Sequence, residues 1–175
     1  MKILILGLGN EILCDDGVGL YVTRELKNVL GNREDITVAE ASLAGLGILD
    51  MLAGYDKTIV IDAIQTRDGK VGQVFRLNSN DLAATRHTTS THNVNFASAL
   101  ELGHRLGLSS PKEMVIFAIE VADISTFSED CTPKVKKAIP KCADMVLQEI
   151  NQKSVHFSPN MSSEIEICPA DLPLR

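Results

Sequence analysis

The stretch ILGLGNEILCDDGVG (residues 5–19) decides how this chain is read. An apolar run enters Gly7-Leu8-Gly9, and a helical pattern resumes a few residues later, which is the layout of a phosphate-binding turn. Yet Glu11, Asp15 and Asp16 stand where a phosphate would have to sit. A dinucleotide fingerprint calls for a third glycine or alanine three residues after the second. Ile12 is there instead, and no P-loop Lys-Ser/Thr follows. A helix N-terminus offers an anion roughly half a positive charge, which Asp15 and Asp16 would cancel. A nucleotide-binding domain, which added cofactor would stabilise, is therefore disfavoured, and the turn suits a cation.

Outward from this stretch, apolar runs recur at residues 2–6, 57–61 and 113–119, with a shorter one at 36–39. Continuous rather than alternating runs suit strands covered on both faces. Residues 71–77 (VGQVFRL) follow the turn signal Asp68-Gly69 and read as an edge or antiparallel strand. Val18, Val22, Leu26 and Val29 recur at helical spacing, with Asp16 a candidate N-cap and Gly31 a stop. Residues 46–52 fit a short helix. Phe96, Ala99, Leu100, Gly103 and Leu106 line another, opened by Ser90-Thr91-His92-Asn93. Thr132-Pro133 starts the last helix, with Thr at N-cap and Pro at N1. It turns Val135, Ala138, Ile139, Cys142, Val146 and Leu147 inward, and Pro140 should kink it.

Alternating strands and helices predict an α/β three-layer sandwich: a mostly parallel, twisted sheet with one antiparallel edge strand, flanked by helices. Residues 1–150 read as a single domain, and 151–175 as a tail that is either mobile or packed as an arm. With 175 residues, 45% hydrophobic and 23% charged, the chain is long enough to bury a core. A formal charge of -6, with no basic stripe among 17 Lys plus Arg, argues against nucleic acid and anionic lipid as partners. Cys14, Cys131, Cys142 and Cys168 form no CxxC or zinc pattern and read as reduced thiols. The opening apolar run is too short for a secretory or membrane segment, so a cytoplasmic protein with no membrane partner is expected.

Ligands of open α/β sheets bind beyond the carboxyl ends of the strands. The 7–16 loop leaves the first strand there, Asp62 directly follows the run 57–61, and His92 opens a helix whose start should face the same side. Two carboxylates and an imidazole suit a divalent transition metal such as zinc or nickel. Three protein ligands leave positions open for substrate or water. Gly7 and Gly9, with Asn10, form a candidate substrate loop that turns sharply and lets a foreign chain approach. Plainer roles stay open: Asp16 as a helix cap, Asp62 as initiator of the 64–69 turn, His92 as a cap or surface residue. His87 is an alternative ligand.

Four segments resemble the hydrogenase maturation proteases, which trim the C-terminal extension from the large subunit of nickel–iron hydrogenases. They are GLGNEILCDDGVG (7–19), IVIDA (59–63), STHNVNFASAL (90–100) and FAIEVADIS…CTPKVKKAIP (117–140), in the family's order. The resemblance implies a phosphorylase/hydrolase-like sheet flanked by helices, and a metal-binding trio at Asp16, Asp62 and His92. Asp16 and Asp62 would be the catalytic carboxylates. It implies that nickel arrives with the precursor subunit, so no tightly bound resting cofactor is expected. No Ser–His–Asp or Cys–His relay and no HExxH helix competes with this mechanism. A nickel-sensing chaperone that binds the immature subunit without cutting it is the alternative, distinguished by a mass shift of the precursor. Cys14 and Cys131 depart from the family pattern, and neither is an expected ligand.

Overall fold

The apolar runs become strands β1 (Ile3–Leu8), β2 (Ile36–Ala41), β3 (Lys57–Ile64) and β5 (Glu113–Glu120), and β4 (Val74–Asn78) is the edge. A computed structural model of the chain describes residues 1–42, 47–78, 102–103, 105–107 and 111–151. Among these, the sheet runs β2-β1-β3-β5-β4. β1 pairs in parallel with β2 and β3, β3 pairs in parallel with β5, and β4 lies antiparallel on β5. The expected mostly parallel sheet with one antiparallel edge is the one found. β4 starts at Val74 rather than Val71 because Val71 and Gly72 are used in the turn. The Gly72 N–H is donated back to the Glu120 carbonyl at 2.8 Å.

Strand parity sorts the core into two layers. Ile3, Ile5, Ile59, Ile61, Val115, Phe117 and Ile119 face helices α1 (Val18–Leu30) and α3 (Pro133–Asn151). Leu4, Leu6, Leu8, Val60 and Ile116 face the other way, where α2 (Gly47–Leu52) adds Ile48 and Leu52. This alternation of buried residues on both faces is what the continuous apolar runs require.

α1 sits unusually deep. A Cβ on Gly19 would lie 2.3 Å from the Leu8 carbonyl oxygen and 2.5 Å from that of Ile61, so the helix rests directly on the β1–β3 pair. Val18, Val22 and Leu26 are buried beneath it. Val29 instead faces solvent in the last turn, where Leu30 packs against the core. Gly31 ends the helix, as expected, at a positive φ of 56° that favours glycine, and returns its N–H to the Lys27 carbonyl.

α3 runs without a break through Pro140, which leaves the Lys136 carbonyl without its usual helical donor. Val135, Ala138, Cys142 and Val146 are buried, with Ile139 and Leu147 half-buried beside them. The expected 96–106 helix falls mostly outside the described residues. Gly103 packs against Leu49 of α2, while Leu106, expected to face inward, is exposed. Residues 152–175 also lie outside the described part.

At the end of the sheet where β3 and β5 begin, α3 contributes a buried acid. Glu149 accepts from Lys57 Nζ at 2.6 Å and from Arg76 Nε at 2.8 Å, and Lys57 also reaches Glu113 at 2.8 Å. Burial by itself raises the Glu149 carboxyl, but the hydrogen bonds from Arg76 and Lys57 outweigh it and hold the group below its ordinary 4.5. A carboxylate stabilised in the folded state contributes fully above its unfolded pKa, and the contribution is lost as pH falls through the folded value. Glu149→Gln should therefore cost about 3 kcal/mol at neutral pH by leaving Lys57 and Arg76 poorly paired. That deficit, measured by denaturant unfolding, should shrink on acidification below about pH 4.5; a deficit independent of pH would show the ion pair to be irrelevant.

Candidate active site at the β1–β3 split

β1 leads to β2 on one side and, through β3, to the rest of the sheet on the other. The carboxyl ends of β1 and β3 are thus the switch point at which open α/β sheets bind ligands. The β1–β3 pairing ends at Gly7 opposite Ile61, whereas β3 continues beside β5 as far as Ile64 opposite Glu120. Asp62 is the first residue of β3 beyond the reach of β1. It lies within the strand rather than after it, which removes the turn-initiator role. Its carboxylate is 0% exposed, accepts the Ala63 N–H at 2.9 Å, and by parity shares the α2 face with Val60.

Asp16 reaches the same edge by a different route. It lies in a short 3-10 turn, Cys14–Gly17, ahead of α1. It is not the helix cap: Gly17 takes that position and no side chain caps α1. Asp16 Oδ2 instead accepts the Asn10 N–H at 2.9 Å, and Asn10 Oδ1 accepts from Ile12 N–H at 3.3 Å. Gly9, at φ +148°, presses so close that a Cβ there would be 2.1 Å from the Asp16 carbonyl oxygen. Gly7 lies under Gly19 and Thr23 of α1. The space freed by both glycines is filled by the chain itself, not left for a foreign chain. Asp16, 4% exposed, is therefore locked to the end of β1 as firmly as Asp62 is to β3.

The neighbouring acid has different work. Asp15 is buried, and its Oδ2 accepts the N–H groups of Ala122 and Asp123, both at 3.1 Å, and the Thr132 hydroxyl at 3.0 Å. Its Oδ1 accepts the Thr132 N–H at 2.6 Å. Thr132 does begin α3 through its carbonyl, which accepts from Lys136 N–H at 2.9 Å, but its hydroxyl is given to Asp15. Asp15 thus clamps both ends of the 122–132 loop to the turn that carries Asp16. Glu120 does similar work one strand further on, accepting the Thr66 N–H at 2.8 Å and hydroxyl at 2.9 Å. These long-range roles of Asp15, Thr132 and Glu120 had no signal in the sequence beyond their residue types.

Electrostatics remove one chemistry from the site. Burial, followed by the nearby Asp15 charge, pushes the Cys131 thiol up to about 12 and raises Cys14 above its ordinary 9.0. Both stay protonated at neutral pH, and neither is a resting thiolate nucleophile. Asp123, held down to about 2 chiefly by the Thr126 hydroxyl and then by the Thr126 and Ser125 N–H groups, is ionised. Two buried acids at one edge of the sheet carry oxygen donors, the atom type that suits a divalent cation or a general base. Among the described residues no three His, Cys, Asp or Glu side chains gather as a metal-holding group. The expected third ligand, His92, and its alternative His87 lie outside the described residues.

Residues 20–149 match the HycI family, described as hydrogenase maturation protease. The chain belongs to that family. It is 24% identical over 160 residues to the hydrogenase 2 maturation protease of Escherichia coli, covering 91% of this chain and 96% of that protein. It is 26% identical over 163 residues to the hydrogenase expression/formation protein HupD of Bradyrhizobium diazoefficiens, covering 90% and 82%. In fold it is similar to the hydrogenase maturating endopeptidase HybD from E. coli, with a TM-score of 0.76 at 23% identity over 86% of this chain and 92% of that one. The NiFe hydrogenase maturation protease HybD from Thermococcus kodakarensis superposes with a TM-score of 0.70 at 24% identity, over 85% and 99%. This family member is a peptidase by kinship, and among its described residues no helix is long and apolar enough to cross a membrane.

The Asp15 clamp predicts a stability effect separate from chemistry. Asp15→Asn replaces one acceptor oxygen by an NH2 group facing the Ala122 and Asp123 N–H donors or those of Thr132. Unfolding free energy should fall by about 2–3 kcal/mol, with proteolytic nicking first appearing within 122–132. An unchanged stability would mean that the clamp contributes nothing.

Proposed function

We propose that this chain is the endopeptidase that removes the C-terminal extension from a nickel–iron hydrogenase large-subunit precursor once nickel has been inserted, acting in the cytoplasm. The observation that carries this reading is the delivery of Asp16 and Asp62, two buried acids far apart in sequence, to the one edge where β1 and β3 part. Family membership supplies the reaction class.

Nickel enters as part of the substrate. Asp16 and Asp62, with His92 as third ligand, grip the precursor's ion and so set the scissile peptide beside the carboxylates. Either a carboxylate or a water molecule polarised by the ion attacks the carbonyl carbon. If water attacks, a carboxylate takes its proton and passes it to the amine as the C–N bond breaks. If a carboxylate attacks, C–N cleavage leaves a mixed anhydride and the amine takes its proton from water. The resulting hydroxide hydrolyses the anhydride to free both acids. Such a site has no need of a resident metal. Donors that are few and already hydrogen-bonded to the chain's own N–H groups hold a free ion weakly, and the precursor's own ligands complete the coordination. A precursor without nickel lacks the bridge and is not cut. A protease that waits for its substrate's metal discriminates finished from unfinished subunits by coordination rather than by side-chain pockets.

The test is a mass shift of a purified large-subunit precursor on incubation with the full chain. With nickel loaded, the extension should be released; without nickel, the mass should not change. Asp16→Asn and Asp62→Asn should each slow release by roughly 10³-fold or more while leaving the far-UV spectrum intact. Undiminished cleavage by Asp16→Asn refutes the assignment, and stable binding of wild type without any mass shift would favour a non-cutting chaperone.

A further inference from the structure

The rim beside the Asp16 turn carries two exposed apolar side chains, Phe127 at 79% and Ile12 at 48%. They sit on one paired backbone: Leu13 bridges Phe127 and Ser128, and the Ser128 N–H is donated to the Ile12 carbonyl at 3.1 Å. The same Leu13 accepts the Asp16 N–H at 2.8 Å, so Phe127 and Asp16 are tied to a single residue.

The loop that presents Phe127 is braced on both sides. Asp123 Oδ1 accepts the Ser125 N–H at 3.0 Å and the Thr126 N–H at 2.9 Å. On the other side the Ser128 hydroxyl donates to the Asp130 carbonyl at 3.0 Å, and Tyr21 donates its hydroxyl to the Glu129 carbonyl. Asp15 closes the loop at its base. An aromatic ring left in water on so constrained a backbone loses little freedom when a partner covers it, which is the condition for an interaction anchor.

Charge defines the partner. Residues 122–132 include Asp123, Glu129 and Asp130 and no Lys or Arg. Of the nearby cations, Arg24 is paired with Glu11 and Glu40, and Lys136 with Asp130. Asp123 and Glu129 remain as surplus negative charge around an apolar ledge.

We propose that the Ile12–Phe127 ledge docks the precursor segment next to the scissile bond, seating an apolar side chain flanked by basic residues. The inference rests on the protease reading above. It adds a surface that selects the peptide, alongside the carboxylates that read the metal.

The test uses the full chain and a nickel-loaded large-subunit precursor that still carries its extension, with cleavage rate and equilibrium binding both measured. Phe127→Ala and Ile12→Ala should each raise KM about tenfold while kcat stays within about twofold. Phe127→Leu should restore most of the loss, and raising NaCl from about 0.05 to 0.5 M should raise the wild-type KM. If wild type cuts and Phe127→Ala cuts with the same KM, the ledge is overturned and the protease reading stands. If wild type binds without cutting and Phe127→Ala loses that binding, the protease reading falls, the ledge is kept as a docking surface for the precursor, and its place beside a scissile bond is overturned. If the precursor is neither bound nor cut, both fall. A wild-type dimer that Phe127→Ala turns into a monomer, with KM unchanged, would assign the surface to a second copy and overturn the proposal.

Discussion

Gly19, seated between the carbonyl oxygens of Leu8 and Ile61, is the contact on which the arrangement turns. Any side chain there would meet backbone oxygens of two strands, and backbone has little room to yield. The absence of a Cβ at Gly19, and at Gly7 below it, lets α1 lie on the β1–β3 pair at backbone contact distance. The turn before the helix is then forced to the spot where the two strands part. Gly9 repeats the device one step further out, against the Asp16 carbonyl. Asp16 is thus placed by packing of backbone on backbone, a less adjustable arrangement than a side chain on a free loop.

The buried acids divide by where they stand in the fold. Asp15 accepts three N–H groups and a hydroxyl from one loop, and Glu120 and Glu149 are likewise engaged by Thr66 and by Lys57 with Arg76. Acids held in this way organise chain segments. Asp16 accepts the Asn10 N–H and Asp62 the Ala63 N–H, and both stand where β1 and β3 part. Their position at the switch point distinguishes them. The same turn therefore carries Asp15, which clamps the 122–132 loop, beside Asp16 at the switch point.

Much of the fold was legible because the forces that make it are local or periodic. Unbroken apolar runs announced strands covered on both faces, Thr132-Pro133 announced α3, Gly31 closed α1, and the 68–69 turn announced the antiparallel edge. What sequence misjudged lay in long-range contacts. Asp16 reads as a helix cap from its neighbours, but the Asn10 N–H and the approach of Gly9 place it in the preceding turn. Asp62 reads as the residue after a strand, but pairing with β5 carries the strand on to Ile64. Asp15 and Thr132, 117 positions apart, meet through folding alone. Glu149 could not be assigned to the interior from a helix pattern that shows it as one more polar residue. Of the expected site, both carboxylates arrive at one edge, and His92 falls outside the described residues.

Asp16 and Asp62 are proposed to face one ion. Anomalous diffraction at the nickel edge, from crystals of the full chain soaked in excess nickel, tests it most directly. A peak is expected about 2.0–2.2 Å from carboxylate oxygens of both residues at once, the range of zinc–carboxylate bonds. Nickel bound elsewhere, or on one of these carboxylates with the other turned away, would contradict it.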